Sequence, residues 1–485
     1  MQVAIAGGGI SGLAVAWHLR RLGIDVTLFE AGARVGGKIR SERVSGFLCE
    51  WGPAGFSSDD PAIAMVLSGT GLDGRRMAAR GARRRGVFAA GRVETVPQSA
   101  SALLGFRLLS TREKLRAMAD LLRPPRPLGD RVSAGETLAS FGMRHLGRGG
   151  AEKLLYPALP GVYAHDPEKT EAAAAFPWLV ELARAQGSIL RSAPELLRRA
   201  DAGLASFPDG MQELPAALAE SLGAAVHREA PLRRIVAKPD GFTISVGGAD
   251  GESAEEARAD VVVLAVPAGA AAELAGPVDE IAGRALAAIP YVPVTLAFLD
   301  LPAERAGGAP HEAGGEGRDG PDSSGLPAAG SERRLPGEPG TFSGHGYYSP
   351  PGAGRLAGAI YASSLFSGRA PEGRQLVTTR FGGACRREDA ALPDEELLRR
   401  SAEELSEVAG RQVGARLVRA VRHEQALPQY TAGHASRVAA IDAAEARRPG
   451  LFVIGNAVRG LGVADCMKQA RSTAERVARF VNAER

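Results

Sequence analysis

Two glycine-rich turns, one near each end of the chain, hold the residues whose spacing points to chemistry. In VAIAGGGISGLAVAWHL, Gly7, Gly9 and Gly12 are spaced GxGxxG between an apolar run and a helical one. Glu30 stands 18 residues past the last glycine. That order suits a dinucleotide. Gly7 permits a sharp turn, Gly9 lets the backbone approach a pyrophosphate, and Gly12 lets helix and strand pack closely. The helix start at Ile10 and Ser11 then presents N–H groups to the phosphates, and Glu30 accepts hydrogen bonds from an adenosine ribose. The second turn, GNAVRGLGVADC at 455–466, follows the apolar run LFVIG and opens another helix. Other chemistries find little support: no persuasive catalytic triad or metal-ligand cluster is present. His18, on the first helix, reads as a packing or surface residue. Cys49, Cys385 and Cys466 lie far apart without CxxC spacing, so neither a disulfide framework nor a zinc site is expected.

The elements around these turns follow from the apolar pattern. MQVAIAG reads as a buried strand, LAVAWHLRRLG as a helix closed by Gly23, and DVTLFEA as the next strand. This is a βαβ unit, hence a parallel, doubly wound sheet. From about 100 to 205 the pattern turns helical, with Leu115, Met118 and Leu122 at i, i+3 and i+7. HREAPLRRIVAKPDGFTISVGG reads as paired strands, and ADVVVLAVP as a fully buried one. Residues 303–340 are rich in Gly and Pro and nearly devoid of large aliphatics, so a disordered surface insertion is expected there. At 485 residues the chain calls for two or more lobes. Its net charge of +4 is too small to argue for nucleic acid, and no apolar run reaches the length of a membrane span. A reduced, cytoplasmic setting is expected.

Arg34, Gly36, Gly37 and Lys38 follow the ribose acid directly, which is not a feature of ordinary nicotinamide domains. They resemble the R-x-G-G-(R/K) signature of flavin-dependent amine oxidases, making FAD the expected cofactor and NAD the runner-up. In FLCEWGPAGF, Gly52, Pro53, Ala54 and Gly55 are similar to the E-x-G-P run that passes beneath the flavin in that superfamily. The C-terminal turn resembles more narrowly the ending of protoporphyrinogen/coproporphyrinogen oxidases, the haem-pathway branch. PGVYAHDPEK, SFPDGMQELPAALAESLG, YVPVTLAF and QYTAGHASRVAAID match that branch too. The resemblance covers nearly the whole chain outside 303–340. It implies an α/β fold: a Rossmann-like FAD/NAD(P)-binding domain assembled from both termini, an inserted α+β substrate-binding domain and a mostly helical lobe. The corresponding boundaries are 1–95, 206–270 and 426–485 for the FAD domain, 96–205 for the helical lobe and 271–425 for the substrate domain. The first βαβ unit would hold the adenosine and pyrophosphate. Asn456, Leu461, Gly462 and Val463 would hold the ribityl chain and flavin, with Leu232 a further cofactor contact.

Such enzymes remove hydrogens from a porphyrinogen, with oxygen as electron acceptor and hydrogen peroxide as product. Arg85 matches the arginine that pairs with a substrate propionate. The other reading of Arg83–Arg85 is a solvated basic loop. Four more positions fall in the implied substrate slot and depart from its apolar pattern. His165 stands where the family carries glycine, His345 and Tyr348 stand in GHGYYSP, and Arg380 replaces an apolar residue. They imply extra carboxylate contacts, as coproporphyrinogen would need, or a divergent, non-catalytic porphyrin binder. Amine oxidase and carotenoid desaturase chemistries are the competing enzyme readings. The basic, apolar helical stretch at 100–126 allows peripheral contact with the inner face of a cell membrane, or packing on its own core. A homodimer is among the assemblies the resemblance allows.

Overall fold

Five parallel strands drawn from both ends and the middle of the chain form one sheet in the computed structural model. The model describes residues 1–82, 84–125, 135–159, 161, 164–200, 203–247, 254–303 and 342–483. The strand order is Val226–His227, Val26–Phe29, Val3–Ala6, Val261–Leu264, Leu451–Val453. The last three are buried at every position, which such apolar runs require when helices cover both faces of a sheet. Helices Ile10–Arg21 and Val463–Ala483 pack on one face through Leu13, Val15, Met467, Ala470 and Val477. Helix Ala268–Ala275, helix Glu280–Ala287 and a three-stranded antiparallel sheet over 232–259 cover the other. The expected doubly wound domain, built from both termini, is therefore present. The insertion read at 303–340 lies, apart from Ala303, outside the described residues, as does Arg83.

A second, seven-stranded sheet runs in the order Arg416–Pro428, Tyr291–Pro302, Arg374–Gly382, Gly358–Ile360, Gly346–Tyr348, Arg85–Ala89, Arg92–Thr95. All neighbours are antiparallel except Gly346–Tyr348 with Arg85–Ala89. The strands at 85–95 thus belong to this sheet, whereas the sequence reading placed them in the first FAD-binding segment. Their alternation shows that they are strands but carries no information on a partner 260 residues away. Helix Asp394–Ala409 closes the back of this sheet, its Leu405 clustering with Phe88 and Tyr347. Side chains alternate along a strand, so the neighbouring positions face forward, toward the parallel sheet and the helical lobe.

The helical lobe packs Leu138–Gly150, Pro177–Gln186 and shorter helices around Phe106, Phe141, Leu155, Phe176 and Leu179. Helix Thr111–Met118 opens on a capping box between Ser110 and Glu113. Its apolar stripe does not enter the core: Leu115 is 63% exposed and Leu122 86%. The inward positions are Ala117 and Asp120 instead. Asp120 is fully buried and accepts from His145 Nδ1 at 2.7 Å, Ser188 Oγ at 2.7 Å and the Leu190 N–H at 3.2 Å. No described helix is long and apolar enough to cross a membrane.

His18 is a packing residue, buried edge-on against the Trp17 ring at 5.0 Å. Burial, aided by Arg471 and Arg21, pushes its imidazole down to about 4. It is neutral in the fold, while the unfolded chain binds a proton near 6.5. Stability from this site is therefore complete above pH 6.5 and falls as the pH drops toward 4, by about 3 kcal/mol. Glu50, pushed up to about 7 by burial, works in the opposite sense between pH 4.5 and 7. We expect His18→Gln to raise the thermal midpoint at pH 4.5 relative to wild type and to leave the midpoint at pH 7.5 nearly unchanged.

Candidate active site

The first strand ends at Gly7, whose φ of +103° and nearness to the Ala265 carbonyl exclude a side chain. A Cβ on Gly12 would overlap the Gly7 carbonyl oxygen, so helix and strand touch there as their spacing predicts. Gly9 caps the first helix without any side-chain hydrogen bond, and a Cβ on it would meet nothing within 4 Å. Uncapped N–H groups facing open space at a helix N-terminus suit a phosphate. Around this opening lie the other glycines. The Gly36 N–H donates to the Gly8 carbonyl at 2.7 Å, and Gly37, at φ +57°, sits against the Gly9 Cα. Arg34 spans the same loop, donating to the Gly37 carbonyl at 2.7 Å. Lys38 is half-buried over the Tyr291 ring, and burial holds its ammonium below the usual lysine range. Its carbonyl meets Gly52, where a Cβ would collide with it, and Pro53, Ala54 and Gly55 follow half-buried.

Glu30 is more committed than its spacing suggests. Its carboxylate accepts from the Gly8 and Gly32 N–H groups, each at 2.8 Å. An ionised carboxylate has about four acceptor positions, so capacity for a ribose remains. The Glu30 carbonyl accepts from the Ala230 N–H at 2.9 Å, which brings the segment leading to Leu232 alongside this turn.

The C-terminal turn meets the N-terminal one. Gly455 approaches the Ser11 hydroxyl, and the buried Cys466 thiol, raised to about 11 by burial, is hydrogen-bonded to the same hydroxyl. Asn456 is held by the Tyr430 hydroxyl, which donates to its carbonyl at 2.7 Å, and the Val458 carbonyl bonds His434 Nε2 at 3.0 Å. The Gly462 N–H is taken by Asp465, so Val463 and the residues after it carry the remaining free donors of that helix end. Leu461 packs into the helical-lobe cluster with Tyr348, Val87 and Tyr430. This loop therefore links the parallel sheet to the front of the seven-stranded one.

On that front face the strand register sets the forward-facing residues in two rows. One row runs Val87, Tyr348, Gly358, Arg380, Leu296. The adjacent row runs Arg85, Gly346, Ile360, Thr378, Phe298. Gly346 and Gly358 stand at φ +114° and +142°, and a Cβ on either would collide with the backbone of the neighbouring strand. Arg380 lies over Gly358, and Arg85 reaches the Ala158 carbonyl of the helical lobe at 3.3 Å. His345 sits close enough to both guanidiniums that they, together with burial, hold its imidazole well below its usual value. Burial likewise raises the Tyr348 phenol. Arg85, His345, Tyr348 and Arg380 are thus brought together. His165 stands apart from that charge cluster: it is 2% exposed, and burial alone lowers it to about 4. No group of three or more metal-ligating side chains is present among the described residues.

Sequence reasoning missed Tyr430 and His434, which stack at 3.9 Å and hold the C-terminal turn through the Asn456 and Val458 carbonyls. Their spacing of four at a helix start is a weak signal without a known partner. It also missed the buried Glu50–Arg369 pair, which ties 41–50 to 206–211 through Ser41, Ser206 and the Met211 N–H.

A family model, flavin containing amine oxidoreductase, matches residues 10–478. The chain belongs to the flavin-containing amine oxidoreductases. As a member of that family it is an FAD-dependent oxidoreductase, and the uncapped, open turn at Gly9 fits the cofactor. Among its relatives, protoporphyrinogen oxidase 1 of spinach (Spinacia oleracea) is 30% identical over 99% of this chain and 85% of the relative. A coproporphyrinogen III oxidase from Propionibacterium freudenreichii is 27% identical over 98% and 90%. The crystal structure of a candidate protoporphyrinogen oxidase from Exiguobacterium superposes with a TM-score of 0.75 at 22% identity, covering 98% of both chains. Reduced UDP-galactopyranose mutase shares the fold at a TM-score of 0.68 and 15% identity, over 100% of this chain and 96% of that one.

Proposed function

We propose that this flavin-containing oxidoreductase is a porphyrinogen oxidase of haem synthesis, with protoporphyrinogen IX as its leading substrate. Bound FAD would supply the hydride acceptor, with oxygen as the terminal acceptor and hydrogen peroxide as the product. The protein's own share is placement. Gly7, Gly9, Gly12 and Glu30, with Arg34 to Lys38, would hold the adenosine and pyrophosphate, and Asn456 to Val463 the flavin end. The front face of the seven-stranded sheet would seat the tetrapyrrole. The observation that carries the reading is the register that sets Arg85 and Arg380 on that one face. A guanidinium matches a propionate with two parallel hydrogen bonds.

The second cation favours a second reading, a coproporphyrinogen III oxidase, because that substrate bears more propionates. Purified protein with a yellow flavin spectrum should convert one porphyrinogen under air faster than autoxidation, with stoichiometric peroxide. Fluorescence rising no faster than the blank with both substrates would sink the proposal. Arg85→Ala is expected to raise KM about 10- to 100-fold, the size of one charge-assisted contact, with kcat within threefold. Arg380→Ala should raise KM for coproporphyrinogen III more than for protoporphyrinogen IX. Unchanged KM values in both variants remove the carboxylate role.

The outward stripe of Leu104, Leu115, Leu121 and Leu122, bordered by Arg107, Arg112 and Lys114, supports peripheral contact with an anionic bilayer. Co-sedimentation with anionic but not zwitterionic vesicles is the expected result, lost in Leu115→Glu/Leu122→Glu. Equal sedimentation of wild type and variant removes that contact.

A further inference from the structure

We propose that Glu404, behind the seven-stranded sheet, is a positioning residue that fixes Arg380 and Tyr348 for a substrate carboxylate, a role that rests on the porphyrinogen reading above. It touches neither substrate nor cofactor. It sets the register of the two short strands against which Arg380 lies.

Glu404 is fully buried on helix Asp394–Ala409. One carboxylate oxygen accepts from the Tyr347 hydroxyl at 2.9 Å and the Ser349 hydroxyl at 3.2 Å. The other accepts from the Arg355 N–H and from the Leu356 N–H at 3.0 Å. An ionised carboxylate offers about four acceptor positions, and here all are used. Other buried carboxylates gather donors elsewhere. Asp120 takes its three inside the helical lobe, and Glu50 accepts from Ser41 and Met211. Glu404 takes all four of its donors from residues 347–356, within and just after the strand that carries Tyr348.

Those donors bracket one connection. Strand Gly346–Tyr348 leads into residues 349–357, which return as strand Gly358–Ile360. Each strand has three residues and begins with glycine, and Gly-rich strands specify their register weakly. A slip of one residue would turn Tyr347 to the front and Tyr348 to the back. In the fold Tyr347 packs behind the sheet with Phe88 and Leu405, whereas Tyr348 packs in front with Val87 and Leu461. Glu404 holds that alternation from behind, at both ends of the connection.

The effect reaches Arg380 through backbone. Its guanidinium lies over Gly358, the residue paired with it across the strands, and donates to the Tyr347 carbonyl at 3.5 Å. Three positions before Glu404 on the same buried helix face, the Ser401 hydroxyl bonds the Thr379 hydroxyl at 2.9 Å, next to Arg380. Ser401 and Glu404, at i and i+3, thus tie the strands of Arg380 and Tyr348 to one helix.

The test is a double-mutant cycle of Glu404→Gln with Arg380→Ala on the FAD-loaded protein, with amide hydrogen exchange alongside. Glutamine keeps one acceptor oxygen and turns an amide toward two of the four donors. Amides of 346–348 and 358–360 should exchange about 10-fold faster or more in Glu404→Gln, while those of 3–6 and 261–264 stay within about threefold. KM for the accepted porphyrinogen should rise about 10-fold, with kcat and FAD content within about threefold. In the Arg380→Ala background Glu404→Gln should change KM by less than about threefold, because the residue it acts through is gone. Tyr347→Phe removes one donor and little volume. It should move exchange and KM the same way by less, and it carries the test if Glu404→Gln does not fold. Unchanged exchange at 346–348 overturns the register role. Faster exchange with an unchanged KM, or an equal KM rise in both backgrounds, overturns the positioning of Arg380 and leaves the porphyrinogen reading standing. Wild type inactive on both porphyrinogens removes that reading and the substrate role of Glu404 with it, while the exchange rates still decide whether Glu404 pins the strands.

Discussion

Gly12→Ala should yield a protein that holds FAD at least 100-fold more weakly and melts earlier, whereas Gly9→Ala should lose FAD at nearly wild-type stability. The two glycines are three residues apart, yet their surroundings are opposite. A methyl on Gly12 would overlap the Gly7 carbonyl oxygen and press on the Ala265 Cβ. Backbone cannot swing aside as a lysine tip can, so the first helix must move away from the strand that aims it. That shift disturbs the packing of Leu13 and Val15 against the sheet as well as the donors of the helix end. A methyl on Gly9 meets nothing of the protein within 4 Å. It projects into the opening where the pyrophosphate is expected, so its cost is paid only when cofactor binds. A hundredfold loss corresponds to about 3 kcal/mol. Fluorescence titration of deflavinated protein, with thermal melts of the same samples, separates the two. Gly9→Ala binding FAD like wild type would place the phosphates elsewhere.

Asp120→Ala should cost about 3–5 kcal/mol of stability, the largest effect expected of any single exchange in the helical lobe. The substitution leaves the His145 Nδ1–H, the Ser188 hydroxyl and the Leu190 N–H in the interior without their common acceptor. It also removes the partner of Arg123, 3.4 Å away. Asp120→Asn keeps one acceptor oxygen and should cost less than half as much. The Asp120→Leu/His145→Leu double variant should recover part of the loss, because removing donor and acceptor together leaves fewer groups unsatisfied. Urea unfolding followed by tryptophan fluorescence gives the ranking, with Trp178 in this lobe as the reporter. Equal stability of Asp120→Ala and wild type would mean that water reaches the node. Tyr348 and Leu461 belong to the cluster this node supports, so substrate turnover should fail at a lower temperature in the variant.

The cofactor lobe was largely legible in the sequence. Glycines at Gly7 and Gly12 declare themselves because close backbone approach permits no other residue. The apolar strands at 3–6 and 261–264 are short and continuous, as burial on both faces requires. The family was legible through resemblance, not periodicity. Partnerships across long separations were not. Arg85 pairing with Gly346 depends on a parallel contact 261 positions apart, and nothing local in GARRRGVFAA encodes it. The stripe Leu115, Met118, Leu122 has the spacing of an inward face, yet the lobe turns a carboxylate inward instead. Hydrophobic spacing cannot foresee that, because Asp120 is stabilised by three donors, two of them 68 and 70 residues away. Glu30 shows a milder gap: its acid character was evident, its two backbone partners were not.

The strand Leu451–Val453 pairs with Val261–Leu264, whose other neighbour is Val3–Ala6. At translation rates of about 5–20 residues per second, Val261–Leu264 waits on the order of ten seconds or more for the strand that covers its open edge, which begins 187 positions later. Through that interval an unpaired, wholly apolar edge is exposed on the nascent chain.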